Sequence, residues 1–190
     1  SKNDIIRWRI GYCSSGFYEN RIVFPSFNYE AKLNFFTTRS YNKRTWPKYK
    51  NPQTSNKDII FNEIDLVDDQ ILTITERYLW LYKNSGNSIP LLGSEINEES
   101  KLFKFIFNFE NFIYLGLDFD AKDKQVKIAE KLLSNQIQPW LINISKENKD
   151  LGSLTKKEVK ALKDNAIFIA DMDELLKYRI NKWKHVQNVK

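Results

Sequence analysis

From about residue 70 the chain alternates short apolar runs with amphipathic stretches, and this alternation constrains the fold more than any other feature. The runs are QILTIT (70–75), SIPLLG (88–93), NFIYLGLDF (111–119) and QPWLINI (138–144). Short runs that are apolar on both faces suit strands buried in a parallel sheet. The intervening segments read as helices: ERYLWLYKNSG (76–86), closing at Gly86; NEESKLFKFIFN (97–108), with a cap and an acidic first turn; and KDKQVKIAEKLLS (122–134). TKKEVKALKDNA (155–166) and MDELLKYRINKWK (172–184) add two amphipathic helices. Strand, helix, strand, helix, strand, helix, strand predicts an α/β fold, a parallel sheet flanked by helices.

The first third has a different character. RIVFPSF (21–27), KLNFFTTRS (32–40) and IRWRIGY (6–12) are rich in aromatic and β-branched residues and read as strands, with NYEA as a hairpin connection. YNKRTWPKYKNPQTSNK (41–57) is polar, basic and interrupted by two prolines, so it reads as a loop. Residues 1–60 hold 11 Lys and Arg against 4 Asp and Glu, and the remainder is balanced at 19 against 20. Such asymmetry fits either a polyanion partner or a solubilising face. The expected organisation is a small basic β-rich α+β subdomain over 1–65, the parallel α/β domain over 66–170 and a C-terminal helix over 171–190.

Composition removes several classes. A hydrophobic fraction of 42% is enough for a core. No apolar run approaches the roughly 18 residues a membrane span needs, and the first residues show no leader pattern, so neither a span nor secretion is expected. The opening SKNDIIRWRIGY carries no initiating Met, which suggests a piece excised from something longer. There is one cysteine, Cys13, and one histidine, His185 in the polar tail KWKHVQNVK. A disulfide framework, a Cys/His zinc site and a His-activated nucleophile are therefore not expected. Cys13 reads as a small filler near a turn, and His185 as a solvated tail residue.

Ligands of open parallel sheets collect at the carboxyl ends of the strands. Glu76 follows the first run, Asp118 and Asp120 end the third, and Asp150 follows the fourth in NKDLGSL. Carboxylates gathered at one sheet edge repel one another unless a cation joins them. All-oxygen donors with open positions suit Mg²⁺ or Mn²⁺, which bridge to phosphates. Side chains i and i+2 of an extended strand end point the same way, so Asp-x-Asp can supply two donors to one ion. Acids after strands also serve as helix caps, and the spacing alone leaves both readings open. Asp123 reads as a first-turn acid placed for the helix dipole.

The order of these acids resembles the Toprim domain shared by bacterial-type primases, topoisomerases and some nucleases: a Glu after one strand, Asp-x-Asp after a later one, a further Asp near KDLGSL. IPLLGSEI (89–96) is similar to the Gly-Thr segment of that domain, with Ser94 in the Thr position. The segment 11–63 resembles the basic block ahead of Toprim in bacterial and phage primases. Its pattern falls on Arg21 with Phe24-Pro25, on Arg39, on Pro47-Lys48-Tyr49-Lys50-Asn51-Pro52 and on Lys57. The match is collinear over roughly residues 6–165.

The resemblance implies a DNA primase catalytic core, a nucleotidyltransferase that makes short RNA primers on single-stranded DNA. It implies that Glu76, Asp118 and Asp120 are catalytic metal ligands for Mg²⁺ or Mn²⁺, with Asp150 as a further acid. It also implies that Arg21, Arg39, Lys48, Asn51 and Lys57 bind nucleoside triphosphate or the nucleic-acid backbone. Trp46, Tyr49 and Phe36 lie among these cations and are placed to stack on bases or to pack the core. The implied partners are template, nucleoside triphosphates, the primer, a replicative helicase and a zinc-binding domain outside this chain. The implied location is the cytoplasm of a bacterial or phage-infected cell.

Three departures stand out. Arg77 follows Glu76 where the pattern has Gly, and it either changes the local path or adds a charge at the site. DFDAKDK lacks the usual glycine after Asp120, and DLGSLTKKEV is looser than the Asp-Pro pattern. No zinc-binding template reader or helicase module is recognised, and the compressed sequence looks more like a phage primase than a cellular one. A Toprim nuclease and a non-catalytic nucleic-acid-binding module are the competing readings.

Overall fold

Aromatic and β-branched residues over 21–40 fold as a hairpin, because each strand can bury one face against the segment that follows. The computed structural model describes residues 2–187 apart from 43, 56, 77–86, 94 and 146–153, with side chains described as far as 181. The chain divides into two compact units, Ser1–Leu66 with Glu99–Leu102, and Val67–Glu98 with Phe103–Lys190.

The first unit is built on an antiparallel sheet of β1 (Gly11–Cys13), β2 (Arg21–Phe27), β3 (Leu33–Ser40) and β4 (Tyr49–Lys50), in that spatial order. The Asn28 side chain closes the β2–β3 turn by accepting from the N–H groups of Glu30 (3.1 Å) and Lys32 (2.9 Å). Phe24, Phe35, Ile60 and Phe61 are buried, and Phe35 meets Phe61 edge-on at 6.4 Å. Polar bonds tie the 60–62 segment to the hairpin. Ser26 Oγ donates to Asn34 Oδ1 (2.6 Å) and accepts from the N–H of Asn62 (2.8 Å), while Asn34 Nδ2 donates to the carbonyl of Ile60 (3.1 Å).

Two expectations for this unit change. Residues 6–12 are not one strand. Lys2–Arg7 forms a short helix, α1, with Asp4 in its first turn and Arg7 in its last, a charge order that suits the helix dipole. Only Gly11–Cys13 pairs with β2. The basic loop 41–57 also contributes β4, whose Lys50 and Tyr49 pair with Thr38 and Arg39.

The second unit carries the parallel sheet. Its strands are β5 (Leu72–Thr75), β6 (Ser88–Pro90), β7 (Ile113–Gly116), β8 (Pro139–Leu141) and β9 (Ile167–Phe168), ordered β6-β5-β7-β8-β9. The first three pairings are parallel, and β9 runs antiparallel at the edge. Every residue of β5 is buried, as expected of a strand with parallel neighbours on both sides. Among the described residues, α2 (Lys101–Phe107) begins in the first unit and continues into the second, which also holds α3 (Lys122–Ser134), α4 (Lys156–Asp164) and α5 (Met172–Gln187). The expected helix over 76–86 lies, apart from Glu76, outside the described residues. On α3, Val126, Ile128, Ala129 and Leu132 form the buried stripe. A cluster of Ile142, Ile144, Leu154 and Val159 joins α4 to the sheet, with Tyr114 and Phe119 packed against it. The fold is thus a mostly parallel α/β sheet with helices, preceded by an antiparallel sheet.

A capping box opens α4: the N–H of Glu158 donates to Thr155 Oγ1 (3.3 Å), and the N–H of Thr155 donates to Glu158 Oε2 (2.6 Å). The backbone bond from Thr155, then the hydroxyl bond, holds the Glu158 carboxyl below its ordinary pKa. Thr155→Ala is expected to cost about 1 kcal/mol of stability, measured by urea unfolding near neutral pH. The Glu158 contribution is complete above the ordinary carboxyl value and is lost as the pH falls through the lowered one. The difference between wild type and variant should therefore narrow in acid, and a constant difference would count against the reciprocal cap.

Candidate metal centre and basic surface

Glu76 leaves the carboxyl end of β5, and Asp118 lies two residues beyond β7. These strands are parallel neighbours, with Thr75 opposite Gly116, so both acids emerge at the same sheet edge. One oxygen from each of Glu76, Asp118 and Asp120 lies within 4.8 Å of the others. Asp118 is 2% exposed, Glu76 half-buried and Asp120 exposed.

The Asp-x-Asp pair is not displayed by an extended strand end. Asp118 is extended (φ −58°, ψ 158°), but the chain then enters a 3-10 turn over Phe119–Ala121, with the N–H of Ala121 donating to the Asp118 carbonyl (2.9 Å). That turn leads directly into α3. The two carboxylates therefore converge because a tight turn folds Asp120 back beside Asp118, not because of strand alternation.

Three clustered carboxylates in a partly buried site repel one another, and all-oxygen donors of this kind fit a hard divalent cation. Among the described residues, Lys124 offsets part of the charge. Lys124 Nζ lies 3.5 Å from Glu76 Oε1 and donates to the carbonyl of Gly93 (2.9 Å). Sequence reasoning missed Lys124. Its signal was its place in the first turn of the helix that follows Asp120, but its partner depends on β5 being adjacent. Nearby, Lys122 sits over the Phe119 ring (4.2 Å) and donates to Asn143 Oδ1 (3.3 Å), and burial lowers its pKa. Asp123 stands exposed in the first turn of α3. Asp150, Arg77 and Ser94 lie outside the described residues.

The basic residues expected to meet phosphate lie in the first unit and do not form a uniform set. Arg21 is 4% exposed, and its guanidinium donates to the carbonyls of Pro47 (2.7 Å) and Lys48 (3.4 Å). Its charge holds the 47–48 loop rather than facing solvent. Arg39 is half-buried over the Tyr49 ring (5.7 Å), and Lys48 is exposed near the same ring (5.8 Å). Asn51 Oδ1 accepts from Thr37 Oγ1 (2.6 Å), leaving its amide nitrogen for other acceptors. Lys57 is exposed and pairs with Glu99 at 3.4 Å. Trp46 is 89% exposed, whereas Phe36 meets the Tyr18 ring edge-on at 5.1 Å. Cys13 Sγ donates to the carbonyl of Ser15 (3.1 Å), and the side chain of His185 is outside the described set. An ion pair on a buried carboxylate also went unseen in the sequence: Lys101 Nζ bonds both oxygens of Glu63 at 2.7 and 2.8 Å.

In sequence, no family model and no curated protein matches the chain. In fold it is similar to several solved primases. The zinc-binding and RNA polymerase domains of Aquifex aeolicus primase align with a TM-score of 0.67 at 15% identity, over 82% of this chain and 42% of that one. A DnaG primase catalytic domain bound to single-stranded DNA aligns with a TM-score of 0.72 at 16% identity, over 88% and 68%. The E. coli primase catalytic core aligns with a TM-score of 0.66 at 15% identity, over 94% and 63%. The chain spans less than half of the first of these and about two thirds of the other two. At these identities the likeness is one of fold, and the fold is that of primase catalytic cores.

Proposed function

We propose that this chain is the catalytic core of a DNA primase, synthesising short RNA primers on single-stranded DNA by divalent-metal-dependent nucleotidyl transfer. The observation that carries the reading is the convergence of Glu76, Asp118 and Asp120 within 4.8 Å at the carboxyl edge of a parallel sheet. The likeness in fold to primase cores supports it. On this reading the three acids hold Mg²⁺ or Mn²⁺, and Asp150 is a further acid of the site. A divalent ion held there stabilises charge on the phosphoryl oxygens and on the attacking and leaving oxygens.

The remaining work falls to the chain's own residues. Phosphoryl transfer needs positioning and charge neutralisation more than covalent help. Burial fixes Asp118, and Lys124 holds Glu76 while its own ammonium is anchored on Gly93. Lys124 is also near enough to the acids to offer a charge to a phosphate. Arg39, Lys48, Asn51 and Lys57 bind triphosphate or the nucleic-acid backbone. Arg21 acts through the loop, as a positioning residue for Lys48. The proposed partners are single-stranded template, nucleoside triphosphates and the primer, with a zinc-binding template reader and a replicative helicase on other polypeptide segments. None of the described helices is long and apolar enough to cross a membrane, and the proposed setting is the cytoplasm of a bacterial or phage-infected cell.

The test is primer synthesis from labelled nucleoside triphosphates on single-stranded DNA, run with Mg²⁺ and with Mn²⁺. Short RNA products support the reading. Metal-dependent cutting of the template without synthesis would replace it with a Toprim nuclease. Phosphate contacts have a separate signature. Lys48→Gln and Arg39→Gln are each expected to weaken binding of single-stranded DNA and to lower the salt-dependence slope by about 0.7, the single-strand value per phosphate. Arg21→Gln should weaken binding by freeing the loop while the slope changes less. A slope untouched by Lys48→Gln would remove that residue from the phosphate set.

A further inference from the structure

The antiparallel sheet of the first unit carries a cross-strand row whose aromatic members the phosphate reading leaves unused. Tyr12 lies opposite Ile22, Ile22 opposite Arg39, and Arg39 opposite Tyr49. Residues directly opposite in antiparallel pairs point to the same face, so these four side chains form one line across all four strands. At strand spacing the line is about 14 Å long. Tyr12 is 56% exposed at one end, and Tyr41, 58% exposed, lies beside it with ring centroids 6.0 Å apart. Ile22, Arg39 and Tyr49 are half-buried. Phe36 is excluded from the line. It stands three residues from Arg39 in β3, so it points to the opposite face, where Tyr18 covers it edge-on.

We infer that Tyr12, Tyr41 and Tyr49, with Arg39 and Lys48 beside Tyr49, form a stacking strip for unpaired bases of a single-stranded nucleic acid. The ligand class rests on the nucleic-acid reading above. The observations favour this occupant over a protein for two reasons. Two cations stand over Tyr49, Arg39 at 5.7 Å and Lys48 at 5.8 Å, so that end of the strip offers a π face and phosphate partners together. It also lies in the part of the chain with 11 basic against 4 acidic residues, a charge complementary to a polyanion. Stacking on exposed rings tolerates any base, which suits a surface that must hold template of varied sequence.

The experiment measures binding of the 190-residue chain to two single strands of equal length, one with bases and one abasic, across a range of salt. Tyr12→Ala and Tyr41→Ala are each expected to weaken binding to the base-bearing strand about tenfold, within the range for one lost stack. Neither should change the salt slope or the affinity for the abasic strand. Tyr12→Phe keeps the ring and is expected to bind like wild type. Equal losses on both strands would overturn the strip, because the rings would then only shape a charged surface. Unchanged binding in Tyr12→Ala and Tyr41→Ala, or self-association of the chain that these variants abolish, would also overturn it. A wild type that binds through the rings yet makes no primer keeps the strip and overturns the nucleotidyl-transfer reading. A wild type that makes primers while binding both strands alike does the reverse.

Discussion

Asp118→Asn is expected to abolish primer synthesis while the chain stays folded. Asparagine matches the size of aspartate, so packing at a position 2% exposed is preserved. What is lost is one of three anionic donors that lie within 4.8 Å of each other. Loss of an outer partner of a metal ligand costs about 10–100-fold, so loss of a donor charge itself should cost about a thousandfold or more. Stability gives an independent readout. Adding Mg²⁺ or Mn²⁺ should raise the melting temperature of wild type and leave that of the variant nearly unchanged, since a ligand stabilises only the state that binds it. Full activity, or an equal metal-induced rise in both proteins, would remove Asp118 from the centre.

Lys101→Met is expected to be the most damaging substitution in the first unit. Glu63 is 1% exposed and takes both its short contacts from one ammonium. Without Lys101 a carboxylate is left buried and uncompensated, a change that costs about 3–5 kcal/mol in closed sites. Lys101 itself is 44% exposed, so water can enter and the lower end, about 3 kcal/mol, is expected. Glu63→Gln should cost far less, because an amide needs no counter-charge and the freed ammonium can hydrate. Hydrogen exchange of the β2 and β3 amides is the measurement, since it reads the first unit separately from the second. Equal costs for the two substitutions would contradict a charge-based account and point to simple loss of packing.

Much of the site was legible because its chemistry is carried by local pattern. Asp118 and Asp120 follow an apolar run that reads as a buried strand, and Glu76 follows another. The strand order was not written there. Glu76 and Asp118 meet because β7 lies beside β5, across 37 residues of sequence that include a third strand, β6, on the other side. Lys124 was missed for the same reason: its partner is on β5. The turn at Phe119–Ala121 was missed because a 3-10 segment of three residues leaves no periodicity.

The sequence by itself determined where the buried strands and most helices lie, which acids follow them, and that the first third is basic and aromatic. Each of these is a property of a short window, set by the period of side chains along a strand or helix. Only the tertiary structure decided that Arg21 is used inside the fold, holding the 47–48 loop, and that Glu63 pairs with Lys101 38 residues away. It likewise decided that Ile167 and Phe168 add an antiparallel edge and that Tyr12, Arg39 and Tyr49 fall in one row. These outcomes depend on which elements become neighbours and in what register. Packing and hydrogen bonding between distant segments set both, and a local pattern does not encode either.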